Sequence, residues 1–178
     1  LGTEVAALLA RTIGRLCEGQ ILELQHTYDA QRAEDVYLKS IEGKTASLYA
    51  TSCRIGAIVS GQPRDHVDAL TDFGLAYGMA FQIVDDILDV TATDEQLGKP
   101  AGHDLIEGVY TLPVLRAMGG PAGSALRDLL GQPIEGERWE EARSLVRSSD
   151  GIEQATAAAR EYTGRAAECL NSLRDRPA

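Results

Sequence analysis

Phe81-Gln82-Ile83-Val84-Asp85-Asp86-Ile87-Leu88-Asp89 closes the most regular apolar pattern in the chain. Leading into it, Val67, Leu70, Phe73, Tyr77, Phe81, Val84 and Leu88 step by three or four. That spacing predicts a long helix with one apolar stripe, not the alternation of a strand. At about 100° per residue, Phe81, Val84 and Leu88 fall together on the core stripe. Gln82, Asp85 and Asp89 line up on the neighbouring face, with Asp86 one residue round.

Three carboxylates so close together repel one another. They also stand far from the helix N-terminus, where the macrodipole favours negative charge. A cation should compensate. Oxygen-only ligands favour magnesium or calcium over zinc, and magnesium is usually held by one or two carboxylates plus substrate phosphates. A solvated acidic face beside lysines of another helix accounts for the triplet equally, and the triplet alone leaves both readings open. Two lysines bear on the choice. Lys44-Thr45 lies mid-helix within EGKTASL, and Lys99 follows the acidic helix within LGKP. Each lysine alone reads most simply as a surface residue. Lysines and metal-binding carboxylates in one cavity are what a diphosphate needs.

The rest of the chain is also helical in pattern. Val5, Leu8, Leu9, Ile13, Leu16, Ile21 and Leu24 predict a helix over residues 4–25. Val36, Leu38, Ile41, Leu48, Ile55 and Ile58 predict another over residues 34–58, ended by Gly61-Gln62-Pro63. Residues 91–103, with Gly98, Pro100 and Gly102, predict a loop. Thr111-Leu112-Pro113 starts a short helix, with Pro113 suited to its first turn. Gly119-Gly120-Pro121 breaks it, and two or three more helices follow, separated at residues 131–137 and 149–151. An all-α helical bundle is the fold class that fits.

Composition narrows the function. The 178 residues suit one domain or a large piece of one, and 44% hydrophobic residues allow a sizeable core. A net charge of −10 argues against a nucleic-acid partner, which needs a basic face. No apolar run is long enough to span a bilayer, and nothing resembles a signal peptide. Cys17, Cys53 and Cys169 are odd in number and widely spaced, the usage of a reducing cytosol, so a cytoplasmic protein is expected. The three histidines show no ligand spacing with them, against a zinc site. The chain begins at Leu1, in what reads as mid-helix.

FQIVDDILD resembles the second aspartate-rich motif of the trans-isoprenyl diphosphate synthases, the polyprenyl synthetase family. GKPAGHDLIEGVYTLPVL is similar to the family stretch that follows it. EGQILEL and YLKSIEGKTASL resemble the family's GQ/GE helix and its KT motif. The four stand in the family's order and spacing, from residue 1 to about residue 118 and more loosely to the end. The resemblance implies the isoprenoid synthase fold. It also implies a magnesium-dependent transferase that condenses isopentenyl diphosphate with an allylic diphosphate into a longer prenyl diphosphate. By motif, Asp85 would ligate the metal directly, and Asp86 and Asp89 would act through water or as supporting partners. Lys44 and Lys99 would hold the allylic diphosphate. Thr45 and Gln82 would present oxygen atoms to the developing cation. Phe81 would stand partly in the core and partly near the isopentenyl group, and Gln20 would help bind substrate. A homodimer is expected by the resemblance. KTASL and EGQILELQ look more like long-chain polyprenyl synthases than farnesyl synthases, and a long product would bring transient contact with membranes.

Two departures qualify this. The family's earlier aspartate-rich motif, with its arginine pair, is absent, and the order of Gln20 and Glu23 is reversed relative to many long-chain members. Residues 1–178 therefore read as the C-terminal part of a single isoprenoid synthase domain whose N-terminal helices are missing, inactive by itself. The alternatives are a non-catalytic helical subunit of a heteromeric synthase and a terpene cyclase of the same fold. Cyclases usually line the pocket with aromatics, which are only 5% here.

Overall fold

The computed structural model describes residues 2–93 and 102–173. Helix α1 spans Thr3–Gln25 and α2 spans Glu34–Ile41. A π-helical turn over Glu42–Ala46 joins α2 to α3, Ser47–Val59. A Schellman pair then ends α3: the Gly61 N–H donates to the Ile58 carbonyl at 3.1 Å and the Gln62 N–H to that of Ala57 at 3.0 Å. Pro63 cannot continue a helix, and it directly precedes α4, Arg64–Thr91. After residues 94–101 come α5 (His103–Glu107), α6 (Leu112–Gly119), α7 (Gly123–Leu129), α8 (Glu137–Ser148) and α9 (Gly151–Cys169). A 3-10 turn covers Asn171–Leu173. Among the described residues there is no strand, and the fold is all-α as the periodicity predicts.

The chain divides into two compact units. The first holds the described residues of Leu1–Ile21, Lys39–Gln82 and Ala159–Ala178, and the second those of Leu22–Leu38 and Ile83–Ala158. In the first, α3 and α4 approach backbone to backbone. A Cβ on Gly74 would stand 2.6 Å from the Tyr49 carbonyl oxygen, so only glycine fits, and a Cβ on Gly78 would stand as close to the Ala46 Cα of the π-turn. In the second, Val90, Leu105, Tyr110, Val114, Leu126 and Val146 lead a core drawn from α4 to α8. Pro113 stands in the first turn of α6, as expected, and is buried.

Burial in α4 corrects the predicted stripe. Val67 is buried and Leu70 and Phe73 half-buried, but Tyr77, Phe81, Val84 and Leu88 are 46, 45, 44 and 45% exposed. The buried positions are Gly74, Gly78, Met79 and Ala80 in the first unit and Ile83, Asp86, Asp89 and Val90 in the second. Glycines that admit a neighbouring backbone and aspartates with internal hydrogen bonds fill this face, and neither registers as apolar. Helix α1 shows the same reversal: Leu9, Ile13, Ile21 and Leu24 are exposed, while Val5, Thr12 and Gly19 are buried. No described helix is long and apolar enough to cross a membrane.

Candidate active site

The π-turn carries Lys44 and Thr45. A π-turn sets one more residue into the turn than an α-helix does, and such turns gather at functional sites. Here the packing around it is tight. A Cβ on Gly19 of α1 would lie 2.5 Å from the Lys44 backbone nitrogen and 2.6 Å from the Ser40 carbonyl oxygen, both immovable backbone atoms. The buried Ser47 hydroxyl donates to the Gly43 carbonyl at 2.6 Å. The Thr45 hydroxyl donates to Gln82 Oε1 at 2.8 Å, so Thr45 and Gln82, paired by the predicted roles, are in contact. Lys44, Thr45, Gln82 and Gln20 are half-buried, and Phe81 is exposed with its ring 5.3 Å from that of Tyr49. Arg15 pairs with Glu42 at the start of the turn, at 2.6 Å.

The second unit divides the three aspartates. Asp85 is exposed and, among the described residues, makes no hydrogen bond or ion pair. Asp86 is 3% exposed and its Oδ2 accepts the Tyr37 hydroxyl at 2.6 Å. Burial, and then the Asp86 charge, push the Tyr37 phenol well above its ordinary value, so Tyr37 keeps the proton it donates. The Arg32 guanidinium lies 5.6 Å over the Tyr37 ring and donates to the Tyr110 carbonyl at 3.4 Å. Burial pulls the Arg32 value down from its usual range. Asp89 is 5% exposed; its carboxylate oxygens accept the N–H groups of His103 at 3.3 Å and Asp104 at 3.2 Å, capping α5. Gln82, Asp85 and Asp89 therefore share a helical face by spacing but not an environment: one is half-buried, one open, one turned inward.

This donor set bears on the metal. No three His, Cys, Asp or Glu side chains among the described residues form a group able to hold a metal ion. One open carboxylate backed by two engaged ones does not make an all-protein cage. It fits magnesium, which keeps its waters and shares its ligands with substrate phosphate. Lys99 lies outside the described residues.

Sequence reasoning missed Tyr37 and Arg32, which hold Asp86 and its partner, because a buried tyrosine inside a helix carries no distinctive spacing. It also missed α5, a single turn bounded by Gly102 and Gly108, each with a left-handed φ.

The profile described as polyprenyl synthetase matches residues 2–146. Heptaprenyl diphosphate synthase component 2 of Bacillus subtilis (strain 168) is 40% identical over 166 residues, covering 93% of this chain and 48% of that protein. Nonaprenyl diphosphate synthase of Mycobacterium tuberculosis (strain ATCC 25618 / H37Rv) is 36% identical, covering 99% of this chain and 54% of that one. The crystal structure of heptaprenyl diphosphate synthase from Staphylococcus aureus superposes with a TM-score of 0.91 at 35% identity, over 98% of this chain and 55% of that one. A polyprenyl synthase from Caulobacter crescentus CB15, crystallised with calcium and isoprenyl diphosphate, has a TM-score of 0.89 at 34% identity, over 96% of this chain and 53% of that one. The chain thus spans about half the length of the relatives it matches.

Proposed function

Since this chain belongs to the polyprenyl synthetase family, we propose that it is the C-terminal part of a single isoprenoid synthase domain and supplies one side of a prenyl transfer site. The reaction joins isopentenyl diphosphate to an allylic diphosphate. The allylic C–O bond breaks and diphosphate leaves with the electron pair. The double bond of isopentenyl diphosphate attacks the allylic carbon, and a proton is lost to give a chain five carbons longer.

The observation that carries this reading is the division of the aspartates. Asp85 is open to solvent, whereas Asp86 and Asp89 spend their oxygens on Tyr37 and on the amides of His103 and Asp104. Asp85 is therefore the group to meet magnesium, which when bound would offset the charge gathering on the departing diphosphate. Asp86 and Asp89 hold the helix turn that presents it. Lys44 and Lys99 bind the allylic diphosphate. The Thr45 proton is committed to Gln82, so the Thr45 lone pairs are what that hydroxyl has left to offer an allylic cation. No side chain stands as a base in this assignment: the departed diphosphate takes the proton lost in the last step, and the load on the protein is electrostatic.

The test is Asp85→Ala in the complete protein, assayed by incorporation of labelled isopentenyl diphosphate at saturating magnesium. Turnover should fall by orders of magnitude. Near wild-type kcat would remove Asp85 from the site. A second reading concerns assembly. The Bacillus relative is named as a component, which favours a protein that works with a different partner chain over the homodimer that the family resemblance implies. Native mass spectrometry of the complete protein, purified from its own source, separates a homodimer from a mixed complex.

A further inference from the structure

Helix α4 carries Asp85, Asp86 and Asp89 in its final turns and no basic residue in its last turn. Acidic side chains there add to the negative pole of the helix, and the last carbonyls have no donors within the helix. The compensation comes from α8. Arg143, 9% exposed, donates Nε to the Val90 carbonyl at 3.1 Å and Nη2 to that of Ala92 at 2.6 Å. Arg147, one turn along, donates to the Thr91 carbonyl at 3.2 Å. Two guanidinium groups thus donate to three consecutive carbonyls.

The same helix holds Gly102, just ahead of α5. The Trp139 indole N–H donates to the Gly102 carbonyl at 3.1 Å, and the Arg143 guanidinium lies 5.5 Å over the Trp139 ring. The Gly102 N–H in turn donates to the Asp89 carbonyl at 2.6 Å, beside the two amides that bind the Asp89 carboxylate. Residues 102–104 therefore grip Asp89 by its carbonyl and its carboxylate, and α8 holds both Gly102 and the carbonyls of residues 90–92 that follow Asp89.

We propose that Arg143 is a positioning residue for prenyl transfer: braced on Trp139, it fixes the last turn of α4 against Gly102 and so sets how that turn presents its aspartates. The inference rests on the reading of α4 as the diphosphate-binding helix. It is specific to arginine, because one planar fork reaches two carbonyls and an ammonium cannot reproduce that geometry.

The experiment compares Arg143→Met and Arg143→Lys with Arg116→Met in the complete protein. Arg116→Met removes a two-bond ion pair to Glu34 elsewhere in the same unit. Two quantities are read below the unfolding temperature of each variant: amide hydrogen exchange at residues 102–104 without metal or substrate, and the magnesium concentration giving half-maximal condensation. Arg143→Met should speed exchange at these amides by about tenfold or more, the scale of a lost charged hydrogen bond. It should raise the magnesium requirement by about tenfold, as loss of a supporting contact does at metal sites. Arg143→Lys should fall between, and Arg116→Met should move neither. Faster exchange with an unchanged magnesium requirement and kcat would make Arg143 a purely structural clamp and overturn the proposal. Unchanged exchange would overturn it at an earlier step. If Arg143→Met does not fold, the same two readouts on Arg143→Lys decide. Asp85→Ala separates the two levels: if that variant keeps its kcat, the diphosphate reading fails and takes this inference with it. If it is inactive while the Arg143 variants behave as wild type, the inference fails alone.

Discussion

Removing one oxygen tests how Asp86 is held. Tyr37→Phe deletes the hydroxyl that donates to Asp86 at 2.6 Å and keeps a ring that is 1% exposed. Asp86 is itself 3% exposed, so bulk water does not replace the lost donor. A hydrogen bond to a charged group contributes about 1.5–3 kcal/mol. A protein of the relatives' length, about twice this chain, shifts by roughly 1–2 °C per kcal/mol, so Tm at pH 7 should drop by about 1.5–6 °C. The pH dependence adds a second signature. The phenol is raised well above its ordinary value in the folded chain, first by burial and then by the Asp86 charge. Unfolded, it ionises near pH 10. Below that pH both states hold the proton and the contribution is constant. Above it the unfolded chain releases the proton first and binds fewer protons than the folded chain, so stability falls as pH rises. Tyr37→Phe has no such limb, and its deficit should shrink above about pH 10. Thermal unfolding of the complete protein from neutral to strongly alkaline pH, followed by circular dichroism, reads both effects. An unchanged Tm at neutral pH, or a deficit that stays constant into the alkaline range, would refute this account of Asp86.

Two further outcomes are expected. Lys44→Ala and Lys99→Ala should each raise KM for the allylic diphosphate by roughly ten- to hundred-fold, the scale of one charged hydrogen bond, and leave KM for isopentenyl diphosphate nearly unchanged. Equal effects on both substrates would dissolve the assignment of these lysines to one diphosphate. The 178 residues expressed alone should be inactive and self-associating in sedimentation velocity, since Leu9, Ile13, Ile21, Val59 and Phe81 are among the large apolar side chains left exposed. A monomer that transfers prenyl groups would contradict that.

The helices were legible because their apolar residues recur at helical spacing, and the ends of α1 and α4 fall within about three residues of expectation. The buried face of α4 was not. Periodicity weighs Tyr77, Phe81, Val84 and Leu88, whereas packing is decided by Gly74 and Gly78, which have no side chain to count. The candidate site was legible as a set of residue types, and the Thr45–Gln82 contact joins two of them. Their division of labour was not legible. Asp85, Asp86 and Asp89 look alike in sequence, and what separates them is Tyr37, 49 positions away from Asp86, and the amides of α5, 14 and 15 positions beyond Asp89. Arg143 escaped notice for the same reason, since its carbonyl partners lie 53 and 51 positions upstream.

The π-turn at Glu42–Ala46 sets what a change of length does at one place in the chain. Losing one residue from a plain α-helix turns everything before the gap by about 100° relative to everything after it. This turn already holds one residue more than an α-helical turn. Deleting one residue here would let the backbone close into a plain α-helix whose two ends keep nearly the facing they have. What would change is the bulge itself: Lys44 and Thr45 would no longer be set out from the helix, and the Thr45 bond to Gln82 would be lost. A gap of one residue here would work as a local repacking, not as a rotation of the helices on either side.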